Sequence, residues 1–134
     1  MQGFNGTIFA YGQSGSGKTF SMLGPDEVVG EIVKGSQEVP LETQKLYGII
    51  PRAINDIFTI INQEMETNKT QFSLRVNYYE IYNEKFNDLL SKTEESGKNL
   101  TVRTTPNQGV IVVNDNPYDI TGFEDFFAVL RIGN

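Results

Sequence analysis

The chain has 134 residues, with 17 acidic and 11 basic side chains that give a formal net charge of −6. This length fits about one domain or part of one, because globular domains typically have roughly 100–200 residues. The acidic balance argues against non-specific binding to nucleic acid or to anionic lipid. The sequence has no cysteine and no histidine, which excludes disulfides, thiolate metal sites and catalysis by a Ser-His-Asp triad.

Targeting signals are not evident in the sequence. The longest apolar runs, such as residues 110–113, are far shorter than the roughly 20 residues that a membrane-spanning helix needs. The first six residues lack the basic start and the apolar middle of a secretory signal. We therefore expect a cytoplasmic protein with no membrane span and no nucleic-acid partner.

The first predicted elements are a strand, a glycine-rich loop and a helix. Residues 7–11 form a short β-branched and aromatic run, which predicts a strand buried on both faces. The glycine-rich residues 12–19 follow directly, and a short helix is expected to continue as far as Leu23. Residues 24–48 are rich in glycine and proline and have little periodicity, which predicts a long surface loop.

The middle of the chain predicts a helix, a strand and a second short helix. Residues 51–68 begin with a proline suited to a first turn and repeat apolar side chains at helical spacing. Residues 72–82 alternate between apolar and polar side chains, which predicts a strand with one face on a core. Residues 86–90 are spaced for a short helix, and residues 94–98 predict a polar loop.

The last part of the chain predicts a hairpin and the start of a helix. Residues 100–103 and 110–113 flank a group of turn-forming residues, which favours a β-hairpin. Residues 121–124 fit a capping box, and the apolar side chains that follow share one face. A helix is therefore expected from about Gly122 to Asn134.

A phosphate-binding pattern is the clearest functional signal. Residues 12–19 match G-x-x-x-x-G-K-S/T between a predicted strand and a predicted helix. Glycines at these positions allow successive backbone N–H groups to surround a phosphate chain, and the helix N-terminus adds further N–H groups. The lysine is expected to contact the β- and γ-phosphates, and the threonine hydroxyl to bind Mg²⁺. The candidate phosphate-binding residues are therefore Gly12, Gln13, Ser14, Gly15, Ser16, Gly17, Lys18 and Thr19, with Thr19 also the candidate metal ligand.

No catalytic residue can be assigned from the sequence. Hydrolysis at a phosphate loop also needs an acidic anchor for Mg²⁺, usually an aspartate that ends an apolar strand. Asp115 is the one aspartate that follows such a run. We interpret it as the exit of the hairpin rather than as a metal ligand, because turn-forming residues directly precede the run.

The sequence resembles kinesin motor domains. Residues 3–19 resemble the phosphate-loop block of that family, including its Asn-Gly-Thr approach at residues 5–7. Residues 48–52 and residues 79–90 resemble the next two blocks, in the same order. The hairpin and the last five residues also fit, so the resemblance covers essentially the whole chain.

The resemblance implies an α/β fold of the P-loop NTPase type. It predicts an incomplete kinesin motor core in which a central sheet has helices on both faces and a small β-hairpin lobe is attached. The implied segments are 1–23 (strand, P-loop and helix), 24–48 (variable loop), 49–98 (helix, strand and short helix), 99–114 (hairpin lobe) and 115–134 (start of the next helix). The family's Arg-x-Arg-Pro motif and its switch motifs Asn-x-x-Ser-Ser-Arg and Asp-x-x-Gly are absent from these residues. The chain therefore resembles an interior piece of a motor.

The same resemblance implies ATP and Mg²⁺ as ligands and microtubules as a partner, contacted mainly through the absent segments. It implies a location in the cytoplasm on the microtubule cytoskeleton. It places Phe20 against adenine, although a core position for this ring remains an alternative. Arg103 is interpreted as a solvated strand residue, and Glu80 and Glu84 as part of a packing strand. The parent protein is expected to be an ATP-driven microtubule motor, whereas this piece alone is not expected to turn over ATP.

Two other functions stay open. A different P-loop NTPase, such as a kinase or a relative of myosin, would share residues 12–19, but residues 79–84 speak against it. A catalytically inactive nucleotide-binding or interaction module could keep the loop without turnover. Magnesium-dependent ATP binding that Lys18→Ala abolishes would separate the NTPases from a module whose loop merely folds the chain.

Overall fold

The computed structural model describes residues 3–34, 40–93 and 97–133. Its helices are α1 (Lys18–Met22), α2 (Asp26–Lys34), α3 (Leu41–Gln44), α4 (Ile49–Asn68) and α5 (Phe123–Gly133). Its strands are β1 (Leu74–Val76), β2 (Tyr79–Tyr82), β3 (Lys85–Asp88), β4 (Thr101–Thr105), β5 (Gly109–Val113) and β6 (Tyr118–Ile120). This mixture agrees with the predicted α/β class, but the described strands form three small sheets and not the predicted central sheet with helices on both faces. Among the helices described in these ranges, none has the length and apolar character needed to cross a membrane.

Helix α4 confirms the helix predicted over residues 51–68. Pro51 is buried in the first turn, where its missing N–H removes no helical hydrogen bond. Phe58 and Ile61 are buried one turn apart on the same face. The helix ends at Asn68 and is capped by Lys69, which adopts a left-handed φ of 52° and donates its N–H to the Met65 carbonyl at 3.2 Å.

Helix α5 supplies much of the hydrophobic core. Four of its side chains are buried, and helices α2 and α4 both pack against it. The rings of Phe123 and Phe127 meet edge to face with centroids 4.6 Å apart. The buried cluster contains Val28, Tyr47, Phe58, Leu90, Ile120, Phe126, Phe127, Val129 and Leu130. Helix α5 therefore joins residues from both ends of the described chain into one core.

The start of α5 is capped by Asp125 and not by Glu124, the acid of the predicted capping box. The helix begins at Phe123, one residue later than that box requires, so Asp125 occupies the third helical position. Its Oδ2 accepts hydrogen bonds from the backbone N–H and the hydroxyl of Thr121, both at 2.8 Å. The prediction of a capped helix near Gly122 is confirmed with this change of residue.

The six described strands form three separate antiparallel pairs, β1 with β6, β2 with β3 and β4 with β5. The β2–β3 turn places Asn83 and Glu84 at left-handed φ values of 48° and 61°, as in a two-residue type I′ hairpin. The predicted hairpin of the small lobe is confirmed. In it Thr101 lies opposite Val113 and Thr105 opposite Gly109, whose φ is 71°.

Two predictions in the middle of the chain are wrong in detail. The single strand expected over residues 72–82 is divided into β1 and β2, because β1 pairs with β6 whereas β2 pairs with β3. The short helix expected over residues 86–90 is not formed, because residues 86–88 belong to strand β3 and residues 89–90 form a turn. Phe86 lies opposite Ile81, and its ring lies 4.9 Å from that of Tyr79.

Two predictions near the start of the chain are also corrected. The strand expected at residues 7–11 is not formed, and Phe9 and Tyr11 are 82% and 91% exposed. A strand needs a hydrogen-bonding neighbour, and no described strand pairs with this segment. The loop expected over residues 24–48 contains α2 and α3. Residues 35–39 of the predicted long loop, residues 94–96 of the predicted polar loop and Asn134 at the predicted helix end lie outside the described residues.

The Asp125 cap predicts a pH-dependent contribution to stability. Hydrogen bonds from Thr121, backbone first and hydroxyl second, hold the pKa of Asp125 below its ordinary value of 3.8. A lowered pKa in the folded state stabilises the fold above the unfolded-state pKa, and this stabilisation is lost as the pH falls through the folded-state value. We expect Asp125→Asn to lower the free energy of unfolding by about 0.5–1 kcal/mol at neutral pH.

The difference between wild type and Asp125→Asn should shrink as the pH falls below about 4. Urea unfolding followed by circular dichroism at pH 7 and at about pH 3 measures it, with Glu124→Gln in the same helical turn as the control. An equal loss of stability at both pH values would contradict the carboxylate cap.

Candidate functional site

The glycine-rich loop connects helix α1 to residues 3–12, which have neither helix nor strand. Gly12, Gly15 and Gly17 have φ values of 156°, 77° and 90°, which residues with a side chain rarely adopt. A Cβ at Gly12 would also clash with the side chain of Ser16. At Gly15 and Gly17 a Cβ would meet no atom within 4 Å, so the backbone there borders open space. A ligand can therefore approach the main chain of the loop closely.

The Lys18 side chain folds back over this loop. Its Nζ donates hydrogen bonds to the carbonyl oxygens of Gly12 at 2.9 Å and Gln13 at 2.7 Å. The backbone N–H of Ser16 donates to the same Gln13 carbonyl at 3.2 Å. One ammonium group thus joins the start of the loop to the first residue of α1. An anionic oxygen is a stronger partner for an ammonium group than these neutral carbonyls are.

The position of α1 is fixed by its contact with the start of α4. Gly17 precedes the helix with φ 90° and ψ 18°, so α1 begins directly at Lys18. At the other end, the N–H of Gly48 donates to the Leu23 carbonyl at 2.9 Å. A Cβ at Gly48 would lie 2.5 Å from the Leu23 nitrogen and from backbone atoms of Met22. The two helices therefore meet backbone to backbone.

A cleft of about 460 Å³ opens beside the loop. Its volume falls within the roughly 300–1,000 Å³ typical of small-molecule sites. The cleft is lined by two stretches of the chain, residues 15–20 with the exception of Ser16, and residues 24–27, which lead into α2 and include Asp26 and Glu27. The Phe20 side chain is 62% exposed, so a core role for this ring is wrong.

The predicted loop residues divide into two groups. Gly15, Gly17, Lys18, Thr19 and Phe20 are brought together at the cleft, whereas Gly12, Gln13, Ser14 and Ser16 do not line it. The carbonyl oxygens of Gly12 and Gln13 instead accept hydrogen bonds from the Lys18 ammonium group. Ser16 lines a second, smaller cleft of about 220 Å³ together with residues 8–11.

Asp115 and Asp88 form a polar cluster at the exit of the hairpin lobe. Oδ2 of Asp115 accepts hydrogen bonds from Asn77 Nδ2 at 2.8 Å and from the Tyr79 hydroxyl at 2.5 Å. The buried Asp88 accepts from the backbone and side-chain nitrogens of Asn116 at 2.8 and 3.2 Å. Burial, followed by the bond to Asp115, raises the pKa of Tyr79 above its ordinary value. These carboxylates hold the lobe to strands β2 and β3, and neither lines the cleft.

Glu80, Glu84 and Arg103 also lie outside the cleft. Glu80 accepts a hydrogen bond from Asn87 Nδ2 at 3.4 Å across the β2–β3 pair, and Glu84 lies in the turn of that hairpin. Arg103 on β4 lies opposite Ile111 on β5, and its side chain is exposed. Glu80 and Glu84 therefore belong to the β2–β3 hairpin, and the resemblance likewise implied that they are part of a packing strand.

The contribution of residues 24–27 to the cleft was missed from the sequence, because residues 24–48 were expected to form a loop. A signal for it existed. Pro25 precedes two acidic residues, and this order is typical of the first turn of a helix. Asp26 and Glu27 indeed form the first turn of α2.

A family model described as the kinesin motor domain matches residues 1–134. The chain belongs to the kinesin motor domain family. It is 40% identical over 134 residues to kinesin-like protein Klp68D of Drosophila melanogaster, and 39% identical over 135 residues to kinesin-like protein KIF15-B of Xenopus laevis. These alignments cover 100% and 99% of this chain but only 14% and 9% of those proteins. The chain therefore spans a small part of the curated kinesins that it matches.

Solved kinesin structures show the same fold. A structure of a fast kinesin superposes with a TM-score of 0.76 at 32% identity, over 97% of this chain and 31% of that one. A KIF14 dimer in its two-heads-bound AMP-PNP state, in complex with a microtubule, gives a TM-score of 0.68 at 30% identity, over 92% of this chain and 29% of that one. The predicted resemblance and the α/β motor-core class are confirmed. Membership of this family implies nucleotide binding, and kinesin motors associate with microtubules.

The backbone contact between α1 and α4 predicts opposite effects for two alanine substitutions. Gly48→Ala should lower the free energy of unfolding by about 1–3 kcal/mol, because its Cβ overlaps the backbone of Met22 and Leu23. Gly30→Ala is the matched control, since a Cβ there meets nothing within 4 Å inside α2 and should raise stability by up to about 1 kcal/mol. Urea denaturation of both variants measures the effects. Equal stability of the two variants would show that α1 does not rest on Gly48.

Proposed function

We propose that residues 12–19 are the triphosphate-binding loop of an ATP-driven microtubule motor. The observation that carries this proposal is the backbone of the loop, in which Gly12, Gly15 and Gly17 turn through positive φ immediately before the N-terminus of α1. Such a turn directs successive N–H groups to one side, and the start of a helix adds partial positive charge there. The kinesin family match over the whole chain supports the same assignment.

The donors at the cleft suit a triphosphate and its metal. Backbone N–H groups, the Lys18 ammonium and the Thr19 hydroxyl are the groups that phosphate loops present to phosphate oxygens and to Mg²⁺. The open space beside Gly15 and Gly17 allows phosphate oxygens to reach the main chain. In this proposal Lys18 exchanges the Gly12 and Gln13 carbonyls for β- and γ-phosphate oxygens. Thr19 holds Mg²⁺, and the exposed ring of Phe20 stacks on adenine.

The motor activity belongs, in this proposal, to a longer protein of which the chain is a piece. The chain spans about a third of the solved kinesin chains, and the switch motifs that link nucleotide state to microtubule affinity lie outside its sequence. Its net charge of −6 fits this division, because acidic tubulin would be contacted mainly through other, more basic segments. The location that follows is the cytoplasm, on the microtubule cytoskeleton.

Substitution of Lys18 tests the binding site directly. We expect Lys18→Ala to weaken the binding of ATP with Mg²⁺ by about 10- to 100-fold, because a charge-assisted contact with phosphate is lost. Lys92→Ala removes the same charge from an exposed position that does not line the cleft, and it should bind ATP as the wild type does. Isothermal titration calorimetry measures the affinities. If the wild-type chain binds no nucleotide, the interaction-module alternative is favoured instead.

A second experiment tests the division of function between this chain and the rest of the motor. The 134-residue chain is expected to release no phosphate above background when microtubules are added, because it lacks both switch motifs. A complete kinesin motor domain assayed in parallel is the positive control. Microtubule-stimulated phosphate release from this chain alone would overturn the proposed division.

A further inference from the structure

Part of the lining of the cleft beside the phosphate loop is acidic. Asp26 and Glu27 line the same cleft as Lys18 and Thr19, and both carboxylates belong to exposed residues in the first turn of α2. A phosphate-binding cleft is expected to be lined by positive charge and by N–H donors. Two negative charges in the lining, Asp26 and Glu27, which we call the acidic wall, therefore work against a bare phosphate chain.

From this arrangement we infer that Asp26 and Glu27 make the loop selective for magnesium-complexed triphosphate over the metal-free anion. The inference rests on the proposed function, because it assumes that the cleft receives a nucleotide. Metal-free ATP carries about two more negative charges than its Mg²⁺ complex. Each of these extra charges is repelled by both carboxylates, so the acidic wall disfavours the metal-free form more strongly than the complex.

The expected size of the effect follows from Coulomb's law with salt screening. For charges about 10 Å apart in water, the four extra repulsions change the relative affinity of the two nucleotide forms by about threefold at 0.1 M ionic strength. At 0.01 M ionic strength the Debye length grows to about 30 Å, and the factor rises to about eightfold. At 1 M the Debye length is about 3 Å, and almost no effect should remain.

The carboxylates of Asp26 and Glu27 could instead serve only to stabilise helix α2. Acidic residues in the first turn of a helix interact favourably with the helix dipole. That role predicts a change in the stability of α2 when the charges are removed. It predicts no change in the ratio of affinities for metal-free and magnesium-bound ATP, so the ratio separates the two roles.

The experiment compares two double variants of the 134-residue chain. Asp26→Asn with Glu27→Gln removes the acidic wall, and Glu66→Gln with Glu124→Gln removes the same charge from exposed positions that do not line the cleft. Calorimetry gives the affinity for ATP in excess Mg²⁺ and in EDTA, at 0.01, 0.1 and 1 M ionic strength. Circular dichroism checks that each variant is folded.

The inference predicts that the wall variant binds both nucleotide forms more tightly and gains most for metal-free ATP. The ratio of the two dissociation constants should then shrink by about threefold at 0.1 M ionic strength and about eightfold at 0.01 M. The control variant should keep the wild-type ratio within about 1.5-fold, since its carboxylates do not line the cleft. If the double wall variant is unfolded, Asp26→Asn and Glu27→Gln singly should each give about half of the logarithmic effect.

Three results would overturn the inference. An unchanged ratio in the wall variant, with ATP binding retained, would show that the carboxylates do not discriminate between the two forms. An equal change in both double variants would assign the effect to net charge alone. The absence of ATP binding by the wild type, with and without Mg²⁺, would remove the proposed function itself and the inference with it.

Discussion

The loop at residues 12–18 depends on one backbone constraint and one charged contact. Gly12, Gly15 and Gly17 hold positive φ values that other residues adopt only with strain, and the Lys18 ammonium ties the loop to α1 through two carbonyl oxygens. Without these glycines the chain could not turn back toward the helix N-terminus. Without Lys18 the start of the loop would lose its link to that helix. The proposed function therefore rests on main-chain geometry more than on any catalytic side chain.

The rest of the described fold holds that loop in place. Helix α1 has only five residues and no buried side chain, so it cannot be stable on its own. Its position comes from the Gly48 N–H bond to Leu23 and from α4, which in turn packs on α5. Asp26 and Glu27 in the first turn of α2 also line the cleft. The hydrophobic core around α5 therefore supports the loop indirectly. Helix α5 packs on α4, and α4 contacts α1, whose first residue is Lys18.

Local signals were predicted well, and features that depend on distant partners were not. The glycine turn before α1, α4, α5 and the β4–β5 hairpin each follow from spacing, caps or turn residues within a few positions, whereas phosphate binding by residues 12–19 stays a prediction. The strand at residues 7–11 failed because a strand requires a neighbour that local pattern cannot supply. Residues 86–90 were mistaken for a helix because a short apolar spacing is ambiguous, and only pairing with β2 decides it. Strand β6 has three residues and offered too little alternation to be predicted.

The most direct test of the account is an NMR titration of ¹⁵N-labelled chain with ATP and Mg²⁺. The account predicts that the largest amide shifts occur at residues 13–20, where N–H groups would meet phosphate oxygens, and that the β4–β5 hairpin amides stay nearly unchanged. Lys18→Ala should move the same shifts to nucleotide concentrations about 10- to 100-fold higher. The account would be contradicted by saturable binding of ATP whose largest shifts lie in the hairpin or in α5 while residues 13–20 do not move.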